Sequence, residues 1–195
     1  PEGNPMQIKN KQELAQLIEA DIYRYTGKKG RKARRTVWGN PAVRFCYHLR
    51  KSMYAATRNR LLYFYYAWRR NAAGRLCGAE ISAHGGSIGP GLHLAHNGGI
   101  VIHCDAVLGS NVTVSTGVVI GQQIKNGLSL CPVIGDNVYI APGAKLIGGI
   151  HIGNDVAIGA NAVVTKDVPD HAVVAGVPAK ILGYGGAREY LLHPY

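Results

Sequence analysis

Along the second half of the chain, aliphatic residues recur every sixth position. The series runs Leu108, Val114, Ile120 and resumes as Ile134, Ile140, Leu146, Ile152, Ile158 and Val164. A plain strand alternates every two residues and a helix repeats every 3.6, so neither accounts for a period of six. Four residues beyond most of these positions stands another small or aliphatic side chain: Val112, Val118, Val138, Ala144, Val156, Ala162, Val168. Glycine, asparagine or aspartate crowds the positions just after (Gly109, Gly121, Gly135, Asp136, Asn137, Gly153, Asn154, Gly159). Such residues tolerate the backbone angles of tight corners. The pattern predicts a solenoid of short strands, three hexads to a triangular coil, with the aliphatic column stacked inside.

The repeat slips twice. Leu94 and Ile102 stand eight residues apart where six are expected, around His96-Asn97-Gly98-Gly99. Ile120 and Ile134 stand fourteen apart where twelve would fit, around GQQIKNGLSLCPV. A solenoid extrudes insertions at its corners, where repeat proteins place binding surfaces. If the register otherwise holds, Ile102, Ile120, Ile140 and Ile158 stack along one edge. The residues after them (Gly121, Gln122, Ala141, Pro142, Gly159, Ala160) would then line a groove poor in side chains, suited to an extended pantetheine arm.

The chain ahead of the repeat is different. Of the 22 Lys and Arg residues, 17 precede residue 76, against four acids there, so the formal charge of +11 belongs to that part. KQELAQLIEADIYRYTG has helical spacing and stops near Gly27, KKGRKARR reads as a basic loop, and NPAVRFCYHLRKSMYAA and RLLYFYYAWRR read as further helices. The organisation expected is a basic, aromatic-rich helical region over 6–76, a β-solenoid over 78–183 and a C-terminal tail over 184–195. The helical region is read as a cap packing on the repeat or on neighbouring subunits. The alternative is a surface meeting anionic membrane or a lipid-linked glycan. No nucleic-acid motif accompanies the charge, so nucleic acid is not an expected partner. No apolar run reaches membrane-spanning length, and the four cysteines form no CxxC pair. A reducing cytoplasm, at most at the inner membrane face, is the expected location.

The stretches IGPGLHLAHNGGIVI, VIGDNVYIAPGAKLIGGIHIGNDVAIGANAVVTKDVP and AGVPAKIL, together covering about residues 88–182, resemble the hexapeptide-repeat acyltransferases. Within them the chain is most similar to serine O-acetyltransferases and to their relatives of capsule and exopolysaccharide gene clusters. The resemblance implies a mainly β fold, a left-handed parallel β-helix behind an α-helical N-terminal region. It implies acetyl-CoA as donor, no metal, and a homotrimer with sites between adjacent subunits. By the same resemblance His96 is the general base that deprotonates an acceptor hydroxyl for direct attack on the thioester. A neutral imidazole suits that task near pH 7. Glu80 is its orienting carboxylate, provided that the stretch SAHGGS holds a one-residue insertion. Lys166 and Lys180 match positions where the family sets basic residues near the CoA phosphates.

Departures from the serine enzymes bear on the acceptor. The family's aspartate before the histidine is Ala95 here, and its Arg-His-Pro triplet is Leu130-Cys131-Pro132. With Asn97 and Cys131 these positions define the expected acceptor pocket. It lacks partners for an amino-acid carboxylate. The expected activity is therefore O-acetylation of a sugar hydroxyl of a bacterial surface polysaccharide or its precursor. Serine O-acetylation is the alternative, and a non-catalytic scaffold is the alternative of another class. A carbonic-anhydrase-like enzyme would need an H-x4-H pair, and no two histidines stand five apart. Cys131 has no evident base beside it and reads as packing, and His93 and His103 read as solvated corner side chains.

Overall fold

A computed structural model describes residues 8–81 and 87–195. Four helices open the chain: α1 (Lys11–Thr26), α2 (Arg31–Val37), α3 (Pro41–Ala56) and α4 (Arg60–Cys77). Local chemistry sets their ends. The Asn10, Asn40 and Asn59 side chains accept from the first-turn amides of α1, α3 and α4, and left-handed Gly27 and Gly78 stop α1 and α4. The stretch KKGRKARR is not a loop throughout, since α2 begins at Arg31. Its arginines are good helix formers, and Ala33 is buried against α1 and α3 side chains.

The solenoid follows. Its first face stacks His93–Ala95, Thr113–Ser115, Tyr139–Ile140, Ala157–Ile158 and Val173–Ala175. The second stacks Ala79–Ile81, Ile100–Ile102, Val119–Gly121, Lys145–Ile147 and Val163–Val164, and the third Val107–Leu108, Val133–Ile134 and His151–Ile152. All these pairings are parallel, and the chain visits the faces in that order, coil after coil. Each face contributes one column of buried aliphatics, such as Leu94, Val114, Ile140, Ile158 and Val174 on the first. Asn111, Asn137, Asp155 and Asn161 turn corners at positive φ, as short polar side chains can.

The second slip changes the register. Residues Gln123–Lys125 and Leu128–Leu130 form an antiparallel hairpin turned by Asn126-Gly127, both at positive φ. Fourteen residues are thus one hexad plus an eight-residue excursion, not two hexads plus two. Ile120 therefore stacks with Ile102 and Leu146 on the second face, whereas Ile140 stacks with Ile158 on the first. The single edge expected for Ile102, Ile120, Ile140 and Ile158 does not exist.

The helices close the open upper end of the coil. Asp21 and Arg50 form a two-pronged ion pair (2.8 and 2.9 Å), buried on both sides. Arg50 also donates to the carbonyls of Ile88 and Gly89, and Asp21 accepts from the amides of Gly91 and Leu92. The Tyr25 hydroxyl accepts from Leu94 N–H (3.0 Å) and reaches its carbonyl (3.2 Å), satisfying the edge strand of the first face. At the other end Lys180–Gly183 folds back antiparallel on Val173–Ala175. The tail then returns along the solenoid, where Tyr190 stacks on Tyr139 and Tyr195 bonds Asn111. Leu61, Phe64, Trp68 and Leu76 of α4 stay exposed. No helix among the described residues is long and apolar enough to cross a membrane.

Candidate active site

His96 stands at the first corner, where the chain leaves the first face for the second. Its φ is 64°, an uncommon conformation for a residue with a side chain. The C-terminal end of α4 holds that loop on one side and the next coil on the other. The Gly98 amide donates to the Cys77 carbonyl (2.8 Å) and the Ile100 amide to that of Gly78 (2.9 Å). From the next coil, the Thr116 hydroxyl and the Gly117 amide both donate to the Gly98 carbonyl (2.7 and 2.8 Å). A Cβ on Gly78 would lie 2.6 Å from the Gly98 α-carbon, so glycine permits this approach. The eight-residue slip is thus a braced corner carrying a histidine.

Below His96 the same corner presents small side chains. Ala95, Ser115, Ala141, Gly159 and Ala175 follow one another at the ends of the first-face strands. At the usual strand spacing this column extends about 19 Å. Pro142 and Ala160 lie beside it, and Lys180 pairs with Ala175 at its far end. Four of the residues expected to line a groove (Ala141, Pro142, Gly159, Ala160) therefore share the His96 corner. Gly121, Gln122 and Lys166 do not. They stand at the second corner, across the width of the second face: Gly121 and Gln122 because the hairpin displaced the register, and Lys166 because it follows the second-face strand Val163–Val164.

Glu80 lies on the second face beside Val101, at the mouth of a cleft of about 650 Å³ between α4 and the first coils. Arg70, Arg75, Gly78 and Gly99 also line it. Arg70 is 7% exposed, and its Nη1 has no hydrogen-bond partner among the described residues. No hydrogen bond joins Glu80 to His96 among the described residues. Most of SAHGGS, on which that pairing depended, falls outside the described residues, only its Ser87 being inside. Asn97 contributes its carbonyl to the Thr116 hydroxyl (3.2 Å).

Two flanking histidines differ from expectation. His93 is buried within its strand, edge-on to Tyr25. Burial first, then the charges of Arg24, His96 and His193, lower its pKa to about 4. Arg24 is itself buried and donates to the Thr113 hydroxyl, while burial lowers its pKa to about 10. Periodicity could not reveal this pair, since a histidine in a hexad looks like a corner residue. His103 sits half-buried at the second corner with its Nδ1 3.2 Å from the Cys131 Sγ. Cys131 thus has an imidazole beside it after all, although burial pushes its thiol pKa up. The two residues are 28 apart in sequence, and only coil stacking brings them together.

Comparison with known proteins gives this architecture a class. Residues 131–166 match the bacterial transferase hexapeptide (six repeats). A serine acetyltransferase of Staphylococcus aureus (strain Mu50 / ATCC 700699) is 43% identical over 104 residues, covering 53% of this chain and 49% of that protein. The crystal structure of Neisseria gonorrhoeae serine acetyltransferase superposes with a TM-score of 0.72 at 29% identity, covering 90% of this chain and 67% of that one. A serine acetyltransferase solved in complex with CoA gives a TM-score of 0.72 at 25% identity, covering 88% and 70%. Residues 131–166 thus carry the hexapeptide repeat of bacterial transferases, on a left-handed parallel β-helix behind an N-terminal helical region. The chain has serine acetyltransferases among its homologues, and it spans about half the length of the curated relatives it matches.

These relatives overturn the expected assignment to surface-polysaccharide acetylation: the matched proteins are serine acetyltransferases, in sequence and in structure. The supposed kinship to capsule and exopolysaccharide enzymes, the glycan acceptor and the membrane contact gain no support from them.

Proposed function

We propose that the chain transfers the acetyl group of acetyl-CoA to the hydroxyl of L-serine, with His96 as general base. The observation that carries the reading is His96 held at the head of a side-chain-poor column that ends at a lysine. The pantetheine arm lies along Ala141, Pro142, Gly159 and Ala160, and Lys180 meets the phosphates. As the serine oxygen attacks the thioester carbonyl, its proton passes to the His96 imidazole. The tetrahedral intermediate collapses with C–S cleavage, and the leaving thiolate of CoA takes that proton back. Attack is direct, so no acetyl-enzyme forms. Ala95, Asn97 and Cys131 border the acceptor.

Serine needs cations for its carboxylate, and Ala95, Leu130 and Cys131 supply none. Arg70 and Arg75, in the cleft that Gly78 and Gly99 share with the His96 loop, meet that need, Arg70 with a buried Nη1 that has no partner among the described residues. Gly121, Gln122, Lys166 and Cys131 stand at the other edge of the second face. They reach a His96 corner only if a second subunit presents them, and a homotrimer does so three times by symmetry.

The test is release of free thiol from acetyl-CoA with and without L-serine, for the native chain and His96→Ala. Serine-dependent turnover that falls about 10²- to 10⁴-fold in the variant is expected. Absence of turnover with serine, or full turnover without His96, overturns the reading.

A further inference from the structure

We propose that His103, Asp105 and Cys131 form a binding site for a thiophilic divalent cation, zinc fitting best, at the second corner where the hairpin returns to the coil. The three donor atoms come from two successive coils and lie within 4.8 Å of one another. The His103 Nδ1 is 3.2 Å from the Cys131 Sγ and 3.8 Å from the Asp105 Oδ2. With zinc–ligand bonds of about 2.0–2.3 Å, ligand atoms of a tetrahedral site stand roughly 3.3–3.6 Å apart. The cluster therefore needs displacements of about an ångström or less to close on an ion.

The Asp105 backbone amide donates to the His103 Nδ1 at 3.2 Å, which fixes the ring proton on Nε2; a cation at the cluster takes over the lone pair that this exposed-turn amide now uses, and water replaces the amide's partner. An imidazole lone pair, a thiol and a carboxylate converging on one point form a zinc-type donor set. Magnesium and calcium demand several oxygens that are lacking here. Three protein ligands leave a fourth position, and Asp105 is exposed enough for water to fill it. Coordination expels the Cys131 thiol proton to solvent. The Cys104 Sγ also lies 3.8 Å from the His103 Nδ1 but falls outside the three-residue group.

The expectation of no metal came from the family resemblance, and the missing H-x4-H pair, a pattern within one segment, excluded only a carbonic-anhydrase-like site. These ligands escape that pattern because they are assembled by stacking. Within one chain the site lies across the second face from the His96 corner; since the proposed function also sets Cys131 beside the acceptor of a neighbouring subunit, the test reads metal binding and not turnover.

The test titrates Co²⁺ into full-length, metal-free protein carrying no histidine tag. Expected are one equivalent bound per chain, a thiolate-to-cobalt charge-transfer band with tetrahedral d–d bands, and their loss when Zn²⁺ is added. Cys131→Ser should abolish the charge-transfer band. Asp105→Asn, at an exposed position that cannot unsettle the fold, should keep that band but weaken binding at least about tenfold. Cys104→Ser should leave both intact. Failure to bind Co²⁺, a charge-transfer band that persists in folded Cys131→Ser, or affinity unchanged in Asp105→Asn would each overturn the site, whatever the enzyme does with serine.

Discussion

His96 occupies a left-handed backbone conformation that costs an ordinary residue roughly 1–2 kcal/mol. Four hydrogen bonds, two to the C-terminal end of α4 and two from the next coil, hold its loop there. Strain held in place by its surroundings is the usual state of a residue whose direction matters. Its neighbour His93 makes a different demand, because it is buried and must remain neutral. Its folded pKa of about 4 lies below the 6.5 of an exposed imidazole. Above pH 6.5 neither state binds the proton, and below it the unfolded chain binds one that the folded chain resists. Stability is therefore lost as pH falls from 6.5 toward 4, by up to about 3 kcal/mol from this residue. His48, also lowered to about 4 by burial and then by Arg69 and Arg44, acts in the same direction. Thermal melts should show the midpoint dropping across that window, and His93→Gln should flatten the drop. A midpoint independent of pH there would contradict the assignment.

Among the elements, α1 and α3 meet the solenoid through one buried ion pair. Asp21 and Arg50 satisfy each other and also four backbone groups between Ile88 and Leu92. Removing one partner leaves a buried charge without compensation. Arg50→Ala should therefore cost about 3–5 kcal/mol in denaturant unfolding. Tyr25→Phe removes only the hydroxyl bridging the Leu94 amide and carbonyl, and should cost about 1–3 kcal/mol. The first corner has a requirement of another kind, since its use depends on what is absent. Ala160 is exposed beside the column of small residues, so Ala160→Trp should fold normally. It should raise KM for acetyl-CoA at least about tenfold while leaving the melt unchanged. An unchanged KM would place the cofactor elsewhere.

At the scale of the whole molecule, the second face separates two sets of functional candidates. His96, the small-residue column and Lys180 stand at one edge, and Gly121, Gln122, Lys166 and Cys131 at the other. Sedimentation equilibrium should accordingly give three copies per particle, and activity should fall on dilution below the association range. A monomer with full activity would show that one edge suffices. The cleft between α4 and the first coils adds a further expectation. Arg75→Gln should raise KM for serine with little change in KM for acetyl-CoA, whereas equal effects on both would remove Arg75 from the acceptor site.

The sequence by itself determined the solenoid, because a six-residue period of aliphatics with corner residues between them has no other efficient burial. It also marked His96, because two extra residues break that period and must leave the wall. Tertiary structure decided the rest. A spacing of fourteen reads equally as twelve plus two or as six plus eight, and only strand pairing shows that the hairpin takes eight and moves Gly121 and Gln122 to the other corner. Periodicity likewise could not show that His93 is buried against Tyr25, or that Asp21 and Arg50 anchor the helical cap. The meeting of His103 with Cys131 was hidden for the same reason. Spacing along a chain reports which residues share a face, whereas contacts between coils depend on how many residues each corner consumes.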